Sequence, residues 1–160
     1  NFAFELCLRR LDDKDLQVLD LSSWRVACNG AEAVNPETLR RFIERFGDYG
    51  FRPESMMPVY GLAESSVGLA FPKPGSTIMI DRIDRSTFME TGRAVQIAAT
   101  EAGGLEFAGC GQPLPGHQIR VVYNTDRELP ERTEGNLQFT GHSTTSGYFK
   151  NPEKTRELDT

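Results

Sequence analysis

The stretch Pro58-Val59-Tyr60-Gly61-Leu62-Ala63-Glu64 decides how this chain is read. An apolar run from Met56 to Tyr60 drives into a glycine and then a lone carboxylate. Val59 and Tyr60 suit a strand, and Gly61 suits its abrupt end. A glycine in that place lets another group approach the backbone closely. Glu64 then projects from a loop at the end of a strand, the edge at which open α/β sheets bind ligands. Taken alone, the segment favours the plain reading of a strand, a turn and a solvated glutamate, because short motifs match by chance.

Upstream, Trp24-Arg25-Val26-Ala27-Cys28 is a short strand candidate, followed at once by Asn29-Gly30-Ala31-Glu32. The clearest helix comes next. Asn35 can cap it, Pro36 fits its first turn, Leu39, Phe42, Ile43 and Phe46 repeat at helical spacing, and Gly47 stops it. Strand, helix, strand in that order implies a parallel βαβ unit. Its two strands end in glycine-containing turns, at Gly30 and Gly61, on the same edge of the sheet, so one ligand is expected to touch both. Residues 1–10 read as a further helix, with Phe2 and Leu6 stacked at i, i+4 and Arg9 and Arg10 in the last turn. Asp12-Asp13-Lys14-Asp15 reads as a charged turn.

Downstream of Phe71-Pro72-Lys73-Pro74-Gly75 the pattern changes. Residues 76–108 are weakly periodic, with strand candidates at Ile78-Met79-Ile80 and Ala94-Val95-Gln96-Ile97-Ala98 and a turn at Gly103-Gly104. Gln118 to Tyr123 and Gly135 to Thr140 alternate and read as antiparallel strands, the first closed by an Asn124-Thr125-Asp126 turn. Asn151-Pro152-Glu153-Lys154 looks like a helix start. The fold class expected is therefore α/β: part of a βαβ subdomain over 1–75, an insertion-like segment over 76–108, and part of a small antiparallel, barrel-like β subdomain over 109–160.

The chain has 160 residues, with Lys plus Arg 18 and Asp plus Glu 23, for a formal net charge of −5. This length suits one domain or a large piece of a bigger one. A mildly acidic chain carries no electrostatic footprint for nucleic acid, and the cluster Arg40, Arg41 and Arg45 reads as a solvated helix face. No run approaches ~18 apolar residues, so no membrane-spanning helix is expected, and no signal-peptide pattern opens the sequence. Cys7, Cys28 and Cys110 are an odd number of widely spaced cysteines without a Cys-x-x-Cys pair, which argues against a disulfide framework or a zinc site. Cys7 and Cys28 stand in apolar surroundings and read as buried free thiols. His117 and His142 are the two histidines available to activate a thiol, and both lie in glycine-flanked loops.

Three segments stand in a fixed order: Asn29-Gly30-Ala31-Glu32, Tyr60-Gly61-Leu62-Ala63-Glu64, and Glu134-Gly135-Asn136-Leu137-Gln138-Phe139-Thr140-Gly141 running on to Ser146-Gly147-Tyr148-Phe149. Together they resemble the adenylate-forming, AMP-binding superfamily of acyl-CoA synthetases, luciferases and peptide-synthetase adenylation domains. The resemblance is strongest to the fatty acyl-AMP ligase branch, the long-chain acyl-ACP synthetases, which writes its strand-end motif Tyr-Gly-Leu-Ala-Glu where the wider superfamily favours Tyr-Gly-x-Thr-Glu. It covers nearly the whole chain, most weakly between 76 and 105.

The resemblance implies a fragment of the large N-terminal domain of such an enzyme. It implies ATP and Mg²⁺ as cofactors, a fatty acid as substrate, and an acyl carrier protein or CoA as acceptor in the parent, in a cytoplasmic setting of lipid metabolism. It places Asn29, Gly30, Ala31, Glu32, Tyr60, Gly61, Leu62 and Ala63 around the nucleotide. The backbone of Gly30-Ala31-Glu32 would line the adenine, Tyr60 would stack on it, and Glu64 would be the catalytic, Mg²⁺-binding carboxylate. The plain alternatives are a core aromatic at Tyr60 and a helix-dipole partner near the Asn35 cap at Glu32. Ala63 lacks the hydroxyl that the wider superfamily offers the α-phosphate. The family's phosphate loop is expected upstream of this chain. Its Tyr-x-Thr-Gly-Asp segment and the mobile C-terminal domain with the catalytic lysine are expected downstream, so the isolated piece is expected to be inactive. An ordinary acyl-CoA synthetase and a non-catalytic binding module of the same fold remain the alternatives. Residues 76–108 match an insertion of the acyl-AMP branch that hinders the CoA-using pose. Ile78, Ile80, Ile83, Phe88, Val95 and Ile97 are expected to bury a face there.

Overall fold

A computed structural model describes residues 1–124 and 126–158. In chain order the elements are α1 (Phe2–Arg10), α2 (Asp13–Leu16), β1 (Ala27–Asn29), α3 (Pro36–Gly47), a 3-10 turn (Pro53–Ser55), β2 (Met56–Pro58) and a second 3-10 turn (Ala63–Ser65). There follow β3 (Ala70–Phe71), β4 (Ile80–Asp84), α4 (Arg85–Thr91), β5 (Gly104–Ala108), β6 (Gln112–Pro113), β7 (Gln118–Val122), β8 (Asn136–Thr140) and α5 (Pro152–Glu157). The strands pair in twos: β1 with β2, β3 with β6, β4 with β5, and β7 with β8. The chain divides into two compact units, each gathered from separate stretches. The first takes Asn1–Tyr60, Ala70–Asp81 and Glu106–Gln112; the second takes Gly61–Leu69, Arg82–Leu105 and Pro113–Thr160.

The first unit contains the expected βαβ. β1 and β2 are parallel, with Ala27 opposite Met56, Cys28 opposite Met57 and Asn29 opposite Pro58. α3 connects them, as the sequence predicts: the Asn35 side chain accepts from Glu37 N at 2.9 Å, and Pro36 fills the first turn, where no amide bond is lost. Its apolar stripe buries Leu39, Phe42 and Phe46 against Leu8, Leu16, Ala27, Phe51 and Met56. Phe42 lies at the centre of the aromatic contacts. Its ring meets Phe4 edge-on at 4.9 Å, Phe51 edge-on at 5.1 Å and Phe46 stacked at 4.3 Å, geometries that add to plain area burial.

The basic cluster on α3 is a set of partners, where the sequence suggests a solvated face. Arg40 meets Glu106 at 2.8 Å, and Arg41 meets Glu5 at 3.4 Å. The Arg45 guanidinium donates to the carbonyls of Leu8, at 2.6 Å, and Leu11, which closes the C-terminal end of α1 where carbonyls lack helical partners.

Strand periodicity corrects one expectation. Ala27 and Asn29 face inward on β1, so Cys28 between them is exposed: successive residues of a strand point to opposite faces. Cys7 is half-buried against the core. The charged Asp12–Asp15 turn is in fact a capped helical turn, α2, with Asp15 Oδ2 accepting from Asp12 N at 2.9 Å.

In the second unit β7 and β8 are antiparallel, with Gln118 opposite Thr140, Arg120 opposite Gln138 and Val122 opposite Asn136. Thr125 of the expected Asn124-Thr125-Asp126 turn lies outside the described residues. Within 76–108, the Ile78–Ile80 strand shifts to β4, and Ala94–Ala98 contributes a single bridge, Gln96 to Ile83, rather than a strand. The helix α4 interrupts the interval. Asp84 Oδ1 caps it by accepting from Thr87 N at 2.7 Å, and Gly92 ends it at φ 67. Of the apolar residues expected to bury, Ile83 is fully buried, Ile78, Ile80, Phe88 and Ile97 are half-buried, and Val95 is exposed. Ile78 and Ala108 pack on the core of the first unit.

Candidate functional site

In the first unit, β1 and β2 end side by side, and Val59 N continues the ladder to Asn29 O at 2.9 Å. The Asn29-Gly30-Ala31-Glu32 turn leaves from that edge. Asn29 is buried, and among the described residues its Oδ1 has no hydrogen-bond partner, while Nδ2 donates to Asn1 Oδ1 at 3.4 Å. Gly30 is needed because Val59 occupies the space of a side chain: a Cβ would stand 2.6 Å from Val59 O. Ala31 is exposed with φ 65, a left-handed conformation uncommon for alanine. The Glu32 carboxylate accepts from the Phe2 amide, so it serves the N-terminal end of α1. That contact holds its acid below the usual carboxylate range. Tyr60 is 40% exposed, and its backbone pairs with Ala70 through bonds of 3.0 and 2.9 Å.

Gly61, Leu62, Ala63 and Glu64 belong to the second unit. The Val67 carbonyl takes the position a Gly61 side chain would fill, so the close approach that glycine permits there is made by the chain itself. The segment winds tightly: Leu62 O accepts from both Ser65 N and Val67 N at 3.1 Å, and Ser66 and Val67 follow with φ 52 and 83. A β-branched residue at positive φ is a strained one. This winding turns Glu64 toward the loop at 143–148. The Tyr148 hydroxyl donates to Glu64 Oε1, and Thr145 N donates to Glu64 O at 2.8 Å. The Tyr148 bond, its largest influence, then an own-backbone contact and the Lys154 ammonium keep the Glu64 carboxyl below the usual carboxylate range. Tyr148 is correspondingly pushed up.

Glu64 also lines an open cleft of about 1070 Å³ in the second unit, with Leu62, His117, Arg120, Phe139 and Thr145 among its walls. His117 Nδ1 stands 3.3 Å from Pro115 O and Nε2 2.6 Å from Ser143 Oγ. A carbonyl only accepts, so Nδ1 carries the proton in that contact. Cys110 is half-buried, bonded to Ala108 O at 3.7 Å, and burial pushes its thiol up, away from nucleophilic character.

The residues present fit a magnesium ion carried with a phosphorylated substrate. Among the described residues no three His, Cys, Asp or Glu side chains gather into a ready-made cation cage. Mg²⁺ needs none, since it keeps waters and substrate phosphates and takes one or two carboxylates from the protein. The Glu64 carboxyl, held below the usual carboxylate range, is half-buried, and among the described residues it is engaged by a neutral hydroxyl rather than by a cation at bonding distance. The sequence marks Glu64 but not its partner. Tyr148 lies 84 positions away, and only the folded loop brings the two together.

A family model described as "AMP-binding enzyme" matches residues 2–149. The chain is 36% identical over 155 residues to the long-chain-fatty-acid–AMP ligase FadD26 of Mycobacterium marinum, covering 96% of this chain and 26% of that protein. It is 34% identical over 160 residues to the medium-chain-fatty-acid–[acyl-carrier-protein] ligase JamA of Moorena producens, covering 98% of this chain and 27% of that protein. A solved structure from work on fatty acyl-adenylate ligases of E. coli and L. pneumophila superposes with a TM-score of 0.92 at 37% identity, over 99% of this chain and 29% of that one. The chain thus spans about a quarter of the length of the curated relatives it matches. Among the described residues no helix is long and apolar enough to cross a membrane.

Proposed function

Because this chain belongs to the AMP-binding enzyme family, we propose that it is part of an ATP-dependent ligase that activates a fatty acid as its acyl adenylate, with pyrophosphate release, and passes the acyl group to an acyl carrier protein. The observation that carries this reading is the Glu64 carboxylate, engaged by the Tyr148 hydroxyl in a turn whose Glu64 carbonyl accepts from Thr145 N. The likeness to FadD26 and JamA supports the substrate class and the acceptor.

In this reading Asn29, Gly30, Ala31 and Glu32 form the adenine side of the site through their backbone, and Tyr60 offers the base its exposed ring. Gly61, Leu62 and Ala63 shape the turn, and Ala63 offers no hydroxyl to the α-phosphate. Glu64 binds Mg²⁺, which offsets phosphate charge during the displacement. The cofactors are then ATP and Mg²⁺, and the setting is the fatty acid metabolism of the cytoplasm. Residues 1–75 and 109–160 read as parts of the nucleotide-binding and β subdomains, and 76–108 as an insertion that disfavours CoA.

The full-length parent, supplied with ATP, Mg²⁺ and a fatty acid, is expected to release pyrophosphate and to load purified carrier protein in preference to CoA. The 160-residue chain alone is expected to release none, because adenylyl transfer depends on charge-stabilising groups placed around the phosphates. Efficient acyl-CoA production by the parent would transfer the assignment to an acyl-CoA synthetase. A parent that binds ATP without releasing pyrophosphate would make the fold a binding module.

A further inference from the structure

The loop from Ser143 to Tyr148 is stitched to the Glu64 turn at three levels. Ser66 Oγ donates to Ser143 O at 3.0 Å, Thr145 N donates to Glu64 O at 2.8 Å, and the Tyr148 hydroxyl reaches Glu64 Oε1. The loop is itself cross-linked by hydrogen bonds. Thr145 Oγ1 bonds Gly147 O at 3.1 Å and receives Gly147 N at 3.3 Å. Gly147 sits at φ 140 with Thr155 packed where a side chain would go, so a side chain there meets both strain and collision. Tyr148 N then donates to Thr155 Oγ1 at 2.9 Å, which ties the tyrosine to α5, whose start is capped by Asn151.

We propose that Tyr148 is a positioning residue for the Glu64 carboxylate: its hydroxyl, braced by Gly147 and Thr155, holds one carboxylate oxygen so that the other is presented to the cation carried by the nucleotide. The proposal rests on the reading of Glu64 as the Mg²⁺ carboxylate. Three physical facts favour it over a chance surface contact. Among the described residues Tyr148 is the side chain that hydrogen-bonds this carboxylate. A hydroxyl orients a carboxylate without competing with a cation for its charge, as a lysine or arginine would. The arrangement also spans a strained turn and a glycine-dependent loop, two features that cost stability and persist where the surroundings fix them. Partners of metal ligands act in this way, and losing one typically costs about 10- to 100-fold in metal affinity.

The test uses the full-length parent with Tyr148→Phe, Glu64→Gln and the double variant. Mn²⁺ binding in the presence of ATP, without fatty acid, is followed by electron paramagnetic resonance beside thermal unfolding and the KM for ATP. Tyr148→Phe is expected to weaken Mn²⁺ binding about 10-fold, with unfolding temperature and ATP KM at saturating cation unchanged. On the Glu64→Gln background the same change is expected to add little, since the two residues act through one group. Unchanged Mn²⁺ affinity in Tyr148→Phe, or effects that simply add in the double variant, would overturn the positioning role while leaving Glu64 as a ligand. Unchanged affinity in Glu64→Gln would overturn both. Thr155→Val, which removes the brace on Tyr148 N, serves as the second variant and must weaken Mn²⁺ binding in the same direction.

Discussion

The two units of this chain are built by different means. The first is organised around an aliphatic and aromatic core, with Leu8, Leu16, Leu39, Phe42, Phe46, Phe51 and Met56 all buried. Among the described residues of the second, Leu69, Ile83 and Val122 are the buried apolar side chains. Backbone conformation shows the reverse. Ala31 is the non-glycine residue with positive φ in the first unit, while Ser66, Val67, Asp126, Arg132 and Lys150 all have it in the second. The first unit is held by area removed from water, which is non-directional and forgiving. The second relies more on turns, caps and side chain-to-backbone bonds, which are directional and local. The tightly wound Glu64 turn belongs to that second kind.

The contrast predicts where each unit is fragile. Phe42→Ala removes the ring that touches Phe4, Phe46 and Phe51 and is expected to cost about 3–5 kcal/mol, the range for large-to-small core changes. Urea denaturation of the purified chain, followed by Trp24 fluorescence, measures it. A cost below about 1 kcal/mol, the level of a surface substitution, would show that the aromatic cluster is not what holds the first unit.

Gly61→Ala adds one methyl group against the Val67 carbonyl and touches no core side chain. It is expected to cost about 1–3 kcal/mol, as other overpacking changes do, and to raise hydrogen exchange in the Glu64 turn while α3 stays protected. Uniform loss of protection in α3 would break the distinction between the units.

Gly47→Ala is the smallest effect and has the opposite sign. Among the described residues nothing lies within 4 Å of the added Cβ, and Gly47 sits in the last turn of α3. A gain of about 0.5–1 kcal/mol is expected, from helix propensity and a more restricted unfolded chain. Destabilisation would mean that glycine serves the turn after α3 rather than merely stopping the helix.

Much of the first unit was legible in the sequence because its determinants are periodic and near in sequence. The Asn35 cap, Pro36 and the Leu39, Phe42, Phe46 stripe name α3 almost to its ends, and two apolar runs flanking it imply the parallel pair. The α4 helix had the same kind of signal, Asp84 as cap and Gly92 as stop, but a seven-residue helix in a weakly periodic stretch shows no apolar stripe. Cys28 was misplaced because a three-residue strand is too short for its alternation to reveal which face is inward. The sequence by itself determined the strand-helix-strand order of the first unit, the family likeness and the identity of Glu64 as a notable carboxylate. Tertiary structure alone decided that Gly61 makes room for Val67, that Glu32 serves the end of α1, and that Tyr148 holds Glu64. Those three facts depend on which distant atoms arrive at hydrogen-bond or van der Waals distance, and no local propensity or periodic pattern encodes the meeting of residues 84 positions apart.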